Sequence, residues 1–241
     1  MKQRMPDFLI IGAQKCGTTS FYNHLIEHPN IEPGKNKEIH FFDNNYNKGL
    51  DWYISQFPSL SSTEKYILTG EATPKYIFHP LVPKRVFSVM PQVKLIALLR
   101  NPIDRAYSQY QMALRRRQRL QLGNRSFSFE EVIEKELKQA EFSYLKRGVY
   151  VNQIERWLKF FPRMQLKVVK SEDLFSNPSK VYKEVISFLG LPSYELKEYN
   201  NQNSASYQQM EIETRRRLIE YYKPYNKKLY EVLGQDFGWD N

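Results

Sequence analysis

The chain has a single cysteine, Cys16, among its 241 residues. That excludes an internal disulfide framework and any multi-cysteine zinc site. Long apolar runs are missing too. The first, Phe8-Leu9-Ile10-Ile11, follows Met1-Lys2-Gln3-Arg4-Met5-Pro6 and is too short for a signal-peptide core or a bilayer span. The expectation is a soluble, cytoplasmic chain without a membrane span. Acidic residues are in the minority, 26 against 36 Lys+Arg, leaving a net charge of +10. Such a balance suits an anionic partner (a phosphorylated cofactor, an acidic polymer, nucleic acid or a membrane surface), or serves solubility alone. Repeats, low-complexity tracts and shifts of composition are absent, so 1–241 reads as one α/β domain.

What is present begins at Asp7-Phe8-Leu9-Ile10-Ile11-Gly12-Ala13-Gln14-Lys15-Cys16-Gly17-Thr18-Thr19-Ser20. A short apolar run ends at a glycine, and a Lys/Gly/Thr turn leads into an apolar-periodic stretch through Phe21, Leu25 and Ile26. That order is strand, loop, helix, with backbone N–H groups and a helix dipole aimed at one spot, which suits a phosphate. The Walker form that binds triphosphates needs a lysine directly after its second glycine. Here Thr18 stands there, and Lys15 lies before Gly17. The loop therefore suits a phosphate but not a magnesium–triphosphate. Cys16, inside the loop, reads as a nucleophile or as a small loop residue. No dedicated base lies nearby, which favours the second reading.

Further along, Pro29 to Asn47 reads as loop, Tyr66 to Glu71 as a strand running into the turn Ala72-Thr73-Pro74, and Leu81 to Met90 as a helix. Val93 to Leu99 is nearly continuously apolar, as a buried parallel strand should be. Asn101-Pro102 then supplies an N-cap and a proline at the first helical position, before Ala106, Tyr110 and Leu114. Tyr150 to Phe161 reads as a helix, Gln165 to Lys170 as a strand, and Asn177-Pro178 opens a helix stopped by Gly190 and Pro192. Alternating strands and helices imply a central parallel sheet flanked by helices, a P-loop-like α/β fold with ligands at the carboxyl ends of its strands. Gln14–Ser20, Glu71–Thr73 and Arg100 fall at such ends.

Three segments in order resemble the sulfotransferases that use 3′-phosphoadenosine 5′-phosphosulfate (PAPS), and among them the heparan-sulfate N- and O-sulfotransferases and their bacterial relatives. Ile11–Ser20 is similar to the family's 5′-phosphosulfate loop. Lys37-Glu38-Ile39-His40-Phe41-Phe42-Asp43 is similar to its acceptor-side motif. Arg100-Asn101-Pro102-Ile103-Asp104-Arg105-Ala106-Tyr107-Ser108 is similar to its 3′-phosphate motif. Ser171-Glu172-Asp173-Leu174 and Asp236-Phe237-Gly238-Trp239 extend the likeness over nearly the whole chain.

The resemblance implies the PAPS sulfotransferase fold and a direct in-line transfer of a sulfuryl group to a hydroxyl or amine, releasing 3′-phosphoadenosine 5′-phosphate (PAP), with no metal required and no nucleic-acid partner. It puts Lys15 at the bridging oxygen, where a cation offsets charge on the leaving phosphate. Cys16, Gly17, Thr18, Thr19 and Ser20 would line the 5′-phosphate, and Arg100 and Ser108 the 3′-phosphate. Glu38 would be the general base, with His40, Asp43 and Thr73 lining the acceptor site and His40 sharing the proton work. Plainer readings stay open: a solvated Lys15, Thr18 and Thr19 as helix caps, Arg100 paired with Asp104, Glu38 paired with Lys35 or Lys37, and His40 in the core. Two departures stand out. The 3-O-sulfotransferases' Glu-Lys-Thr-Pro is Glu71-Ala72-Thr73-Pro74 here, without the lysine. Their Lys-Gly-Arg loop is replaced by Asn200–Tyr207, leaving Tyr207 as a candidate to close over the nucleotide.

The runs Arg115-Arg116-Arg117 with Arg119, and Arg215-Arg216-Arg217, read as anion grips or as solvated helix faces. Three arginines in a row spread at roughly 100° per residue, which favours the second. Two rival functions remain. A P-loop kinase or NTPase would need the missing Walker lysine, and a non-enzymatic binder of anionic polymers would rest on the +10 charge alone.

Overall fold

The computed structural model describes residues 4–59, 67–121, 127–139, 143–199 and 210–240. In chain order the strands and helices are β1 (Phe8–Gly12), α1 (Thr18–Ile26), β2 (Ile31–Pro33), α2 (Gly49–Ile54), β3 (Leu68–Ala72), α3 (Val82–Val89), β4 (Lys94–Leu99) and α4 (Pro102–Arg119). They continue with α5 (Phe129–Gln139), α6 (Tyr150–Leu158), β5 (Leu166–Lys170), α7 (Ser171–Ser176), α8 (Pro178–Leu189) and α9 (Ile212–Leu233). The chain divides into two compact units, Met1–Leu99 with Arg156–Ser204 and Arg100–Glu155 with Ala205–Asn241.

The first unit holds one parallel sheet in the order β2-β3-β1-β4-β5. β1 is buried along its whole length, and β4 is buried from Leu95 to Leu99. Both faces of these strands are covered, which is why they read as unbroken apolar runs rather than alternating ones. Helices flank the sheet, with α1 against β3 and α8, and α7 and α8 against β5. From β1 the sheet extends on one side through β3 and β2, and on the other through β4 and β5. Loops leaving the carboxyl end of β1 therefore sit at the switch point where such sheets take ligands. At Gly12, the last residue of β1, a Cβ would lie 2.3 Å from Cγ2 of Ile77, so the close approach of that side chain requires glycine.

The expected elements largely appear, with ends moved by up to three residues; Tyr66, the expected start of the second strand, lies outside the described residues. Pro29–Asn47 is not all loop, however. Ile31–Pro33 pairs with Leu68–Gly70 as an edge strand, too short to show a period in the sequence.

The second unit is helical. Asn101 caps α4, its Oδ1 accepting from the Ile103 N–H at 3.0 Å, with Pro102 in the first turn as expected. α5 begins with a capping box: the Glu131 N–H donates to Ser128 Oγ at 3.1 Å, and the Ser128 N–H to Glu131 Oε2 at 2.7 Å. Inside the unit, buried Glu136 accepts from the Leu145 and Lys146 N–H groups, and Tyr222 donates to the Leu145 carbonyl at 2.9 Å. Tyr150, Tyr230, Phe237 and Trp239 form an aromatic cluster. Arg215, Arg216 and Arg217 pair with Asp104, Glu213 and Glu134, so that run is matched by carboxylates. Arg115, Arg116, Arg117 and Arg119 are exposed at the end of α4.

Candidate active site

In the first unit the loop after β1 turns tightly. The Ala13 N–H donates to the Leu98 carbonyl at 2.7 Å, and the Cys16 N–H to the Ala13 carbonyl at 3.2 Å. Lys15 holds φ 71° and Gly17 φ 83°. At Gly17 a side chain would be strained and would also stand 3.0 Å from the Phe175 ring. Gly17 is the N-cap of α1 and, lacking a side chain, offers the first-turn N–H groups no capping oxygen. Those groups and the helix dipole are thus directed at an external acceptor, preferably an anion. Thr18 and Ser20 are buried, while Lys15 and Thr19 are half-buried. Cys16 is fully buried, its carbonyl accepting from Ser171 Oγ at 2.9 Å. Burial of that thiol fits the small-residue reading rather than a nucleophile.

The segment 37–43 is fastened to the end of β3. The Ala72 N–H donates to the Lys37 carbonyl at 3.1 Å, the Ile39 N–H to Glu71 Oε2 at 3.3 Å, and the His40 N–H to Thr73 Oγ1 at 3.4 Å. Phe41 and Phe42 are buried, with Phe41 stacked on Tyr53 at 4.5 Å between centroids. His40 takes φ 54°, a costly conformation for a non-glycine residue, held by the Asn44 and Asn45 N–H groups on its carbonyl. Lys15 and His40 are the two non-glycine residues with positive φ described in this unit, and both were singled out in the sequence. His40 is thus separated from the aromatic core its two neighbours enter.

The side chains of this segment form a chain of contacts. Glu38, 43% exposed, places Oε2 3.3 Å from His40 Nε2. On the other edge of the ring, Nδ1 is 3.0 Å from Oδ2 of Asp43, whose carboxylate is completely buried. An imidazole between two carboxylates satisfies both only as imidazolium, or with one carboxyl carrying the proton. The arrangement can therefore hold and pass a proton at Glu38 while Asp43 fixes the ring. Lys75 Nζ stands 3.5 Å from Asp43 and donates to Asn44 Oδ1 at 2.9 Å. Lys37 Nζ donates to Glu38 Oε1 at 2.9 Å and to Thr19 Oγ1 at 2.8 Å. The pairing of Glu38 with Lys37 thus coexists with its contact to His40.

In the sequence Glu71 stands at the carboxyl end of a strand with no role of its own. It is fully buried and accepts from Tyr53 Oη (2.8 Å), Tyr76 Oη (3.0 Å), Thr73 Oγ1 (2.6 Å) and Ile39 N–H. Burial pushes its carboxyl above the ordinary value, against the opposing pull of these four donors. Its neighbour Tyr53 is pushed up as well, first by burial and then by Glu71. Tyr53 and Tyr76 gave no sequence signal, because their partner lies on a different element.

In the second unit Arg100 directly follows the last residue of β4 and is half-buried, its carbonyl accepting from Tyr150 Oη at 2.9 Å. Ser108 is buried on α4 beyond the capped N-terminus. Asp104 pairs with Arg215. Tyr207 lies outside the described residues. Among the described residues no group of three or more His, Cys, Asp and Glu has a metal-holding arrangement, and no helix is long and apolar enough to cross a membrane.

Residues 5–224 match the sulfotransferase domain family. The chain is 34% identical to the human bifunctional heparan sulfate N-deacetylase/N-sulfotransferase 3, over 95% of this chain and 30% of that protein. It is 28% identical to the membrane-associated sulfotransferase kil1 of Dictyostelium discoideum, over 98% of this chain and 67% of that protein. The crystal structure of a sulfotransferase from Alicyclobacillus acidocaldarius superposes with a TM-score of 0.82 at 29% identity, covering 99% of this chain and 100% of that one. The chain belongs to the PAPS-dependent sulfotransferase family, related to the heparan-sulfate N- and O-sulfotransferases and to a bacterial sulfotransferase.

Proposed function

We propose that this family member moves a sulfuryl group from PAPS to a hydroxyl or amine acceptor by in-line displacement, leaving PAP. The observation that carries the reading lies in the first unit, where the uncapped start of α1 with Lys15 and Thr19 meets the acceptor segment through Lys37 and Glu38. This donor set fits a phosphosulfate: directed backbone N–H groups, hydroxyls and ammonium groups, with a carboxylate beside them. The family match runs through both units, which supports reading 1–241 as one sulfotransferase domain.

In the proposed reaction the N–H groups of Gly17, Thr18 and Thr19, the turn at Cys16, and the hydroxyls of Thr18, Thr19 and Ser20 hold the 5′-phosphate. Arg100 and Ser108, in the segment that resembles the family's 3′-phosphate motif, are assigned to the 3′-phosphate; Tyr207, the candidate to close over the nucleotide, lies outside the described residues. As acceptor oxygen or nitrogen bonds to sulfur, the sulfur–oxygen bond to the phosphate breaks. The electron pair departs on that phosphate oxygen, where Lys15 offsets its charge. The acceptor's proton passes to Glu38, oriented by His40 and, through it, by Asp43; Thr73 shapes the acceptor side. The step uses neither a metal nor a covalent intermediate. Several relatives act on heparan sulfate by name. With Ala72 in place of a substrate-binding lysine, a different carbohydrate, a lipid or a small molecule is the proposed acceptor.

Transfer of labelled sulfuryl from PAPS across a panel of sugar, lipid, phenol and amine acceptors tests the reading. It expects label in at least one acceptor with wild type and none above background with Lys15→Ala. Equal labelling by both proteins would refute the assignment of Lys15.

A further inference from the structure

We infer that Lys37 is a further catalytic residue, a second cation that grips the sulfuryl end of the donor; the inference rests on reading the start of α1 as the PAPS site. In the sequence Lys37 stood out only as a counterion for Glu38. In the structure its ammonium joins two segments: it donates to Thr19 Oγ1 in the first turn of α1 at 2.8 Å and to Glu38 Oε1 at 2.9 Å. The backbone fixes it there. The Lys37 carbonyl accepts from the Ala72 N–H at 3.1 Å, and Ile39, two residues on, is held by Glu71.

The position has a chemical meaning. An anion seated on the first turn of α1 has its phosphate against the N–H groups, and the acceptor that attacks sulfur surrenders its proton to Glu38. The sulfuryl group therefore lies between the turn and the carboxylate. A cation that touches Thr19 on one side and Glu38 on the other stands beside that line. An ammonium has three N–H donors, and two are accounted for by these acceptors. The third is available to a sulfuryl oxygen. The side chain is only 21% exposed, so water screens its charge incompletely. Held this way, the sulfur stays aligned for attack as its bond to the phosphate oxygen breaks, with the acceptor's proton still going to Glu38. The cation is supplied from the segment beside position 72, where the sequence has an alanine.

PAP lacks the sulfuryl group, so a comparison of PAPS and PAP isolates the contact. Titration calorimetry would measure both ligands with wild type, Lys37→Ala, Lys37→Gln and Lys37→Arg. Loss of a charge-assisted contact is expected to weaken PAPS about tenfold or more in Lys37→Ala and Lys37→Gln, with PAP changed less than about twofold. Lys37→Arg should recover part of the PAPS affinity. Equal losses for PAP and PAPS, or no loss for either, would overturn the inference while leaving the sulfotransferase reading intact. A folded wild type that binds neither ligand would overturn the reading itself. Should Lys37→Ala fail to fold, Lys37→Gln against Lys37→Arg makes the same comparison between a neutral polar and a charged side chain.

Discussion

Two carboxylates in the first unit show how burial divides labour between residues of one chemical type. Glu71, at the end of β3, is fully buried and accepts from Tyr53, Tyr76, Thr73 and the Ile39 N–H. Glu38, on the segment that Glu71 helps to hold, is 43% exposed and faces a lysine and a histidine. Every side-chain partner of Glu71 is a hydroxyl, while Glu38 faces an ammonium and an imidazole. The buried carboxylate fixes geometry, and the exposed one keeps room for a reacting group. His40 links the two regions, its N–H tied to Thr73 and its ring standing between Glu38 and Asp43.

The sharpest way to break this contrast is Glu38→Gln. Loss of a general base is expected to lower transfer by about 10²–10⁴-fold. Stability should stay within about 0.5 kcal/mol of wild type, as for other exposed positions. PAP binding should be unchanged, and turnover equal to wild type would remove Glu38 from the reaction. Next in size is Glu71→Ala, which strands buried donors at about 1–3 kcal/mol apiece, so a loss of at least about 3 kcal/mol is expected. By thermal unfolding that is a fall of about 6–12 °C for a chain of this length. A fall of a degree or less would mean that Glu71 is not scaffold.

A pH series sharpens the comparison further. Burial raises the Glu71 carboxyl above its ordinary 4.5. The folded state therefore binds that proton more tightly than the unfolded state. Its contribution to stability is present below about 4.5 and is lost as pH rises through the folded value. Glu71→Gln has no such proton to lose, so its melting temperature relative to wild type should climb across that window. A constant difference would contradict the assignment. The smallest effect belongs to the other unit. Arg217→Ala, which removes an exposed pair with Glu134, should cost less than about 1 kcal/mol by denaturant titration.

Much of this was legible in the sequence, and what was not has physical reasons. β1, β4 and β5 announced themselves because strands in a parallel sheet covered on both faces are continuously apolar. The caps Asn101-Pro102 and Asn177-Pro178 act locally, and both appear where expected. α5 was missed although Ser128 and Glu131 carry its capping box, with Phe129, Val132, Ile133 and Glu136 on its buried face. α9 shows in the sequence only as the helix under Arg215-Arg216-Arg217; Leu218, Tyr222, Leu229 and Leu233 keep its period farther on, but Pro224 inside it reads as a break. At the site, Lys15, Glu38, His40 and Asp43 were pointed to because each sits in a contiguous segment that resembles a family motif. Contacts between segments could not. Nothing in the sequence joins Lys37 to Thr19, or Tyr53 and Tyr76 to Glu71, until the sheet sets their registers.

The measurement that tests the account most directly is thermal unfolding with PAP, run beside ATP with magnesium. A ligand at 100 times its dissociation constant adds about 2.7 kcal/mol. Each kcal/mol moves a chain of this size by roughly 2–4 °C. A rise of several degrees with PAP and no metal is expected. No response to PAP together with a clear rise for magnesium–ATP would contradict it and put a P-loop kinase in its place.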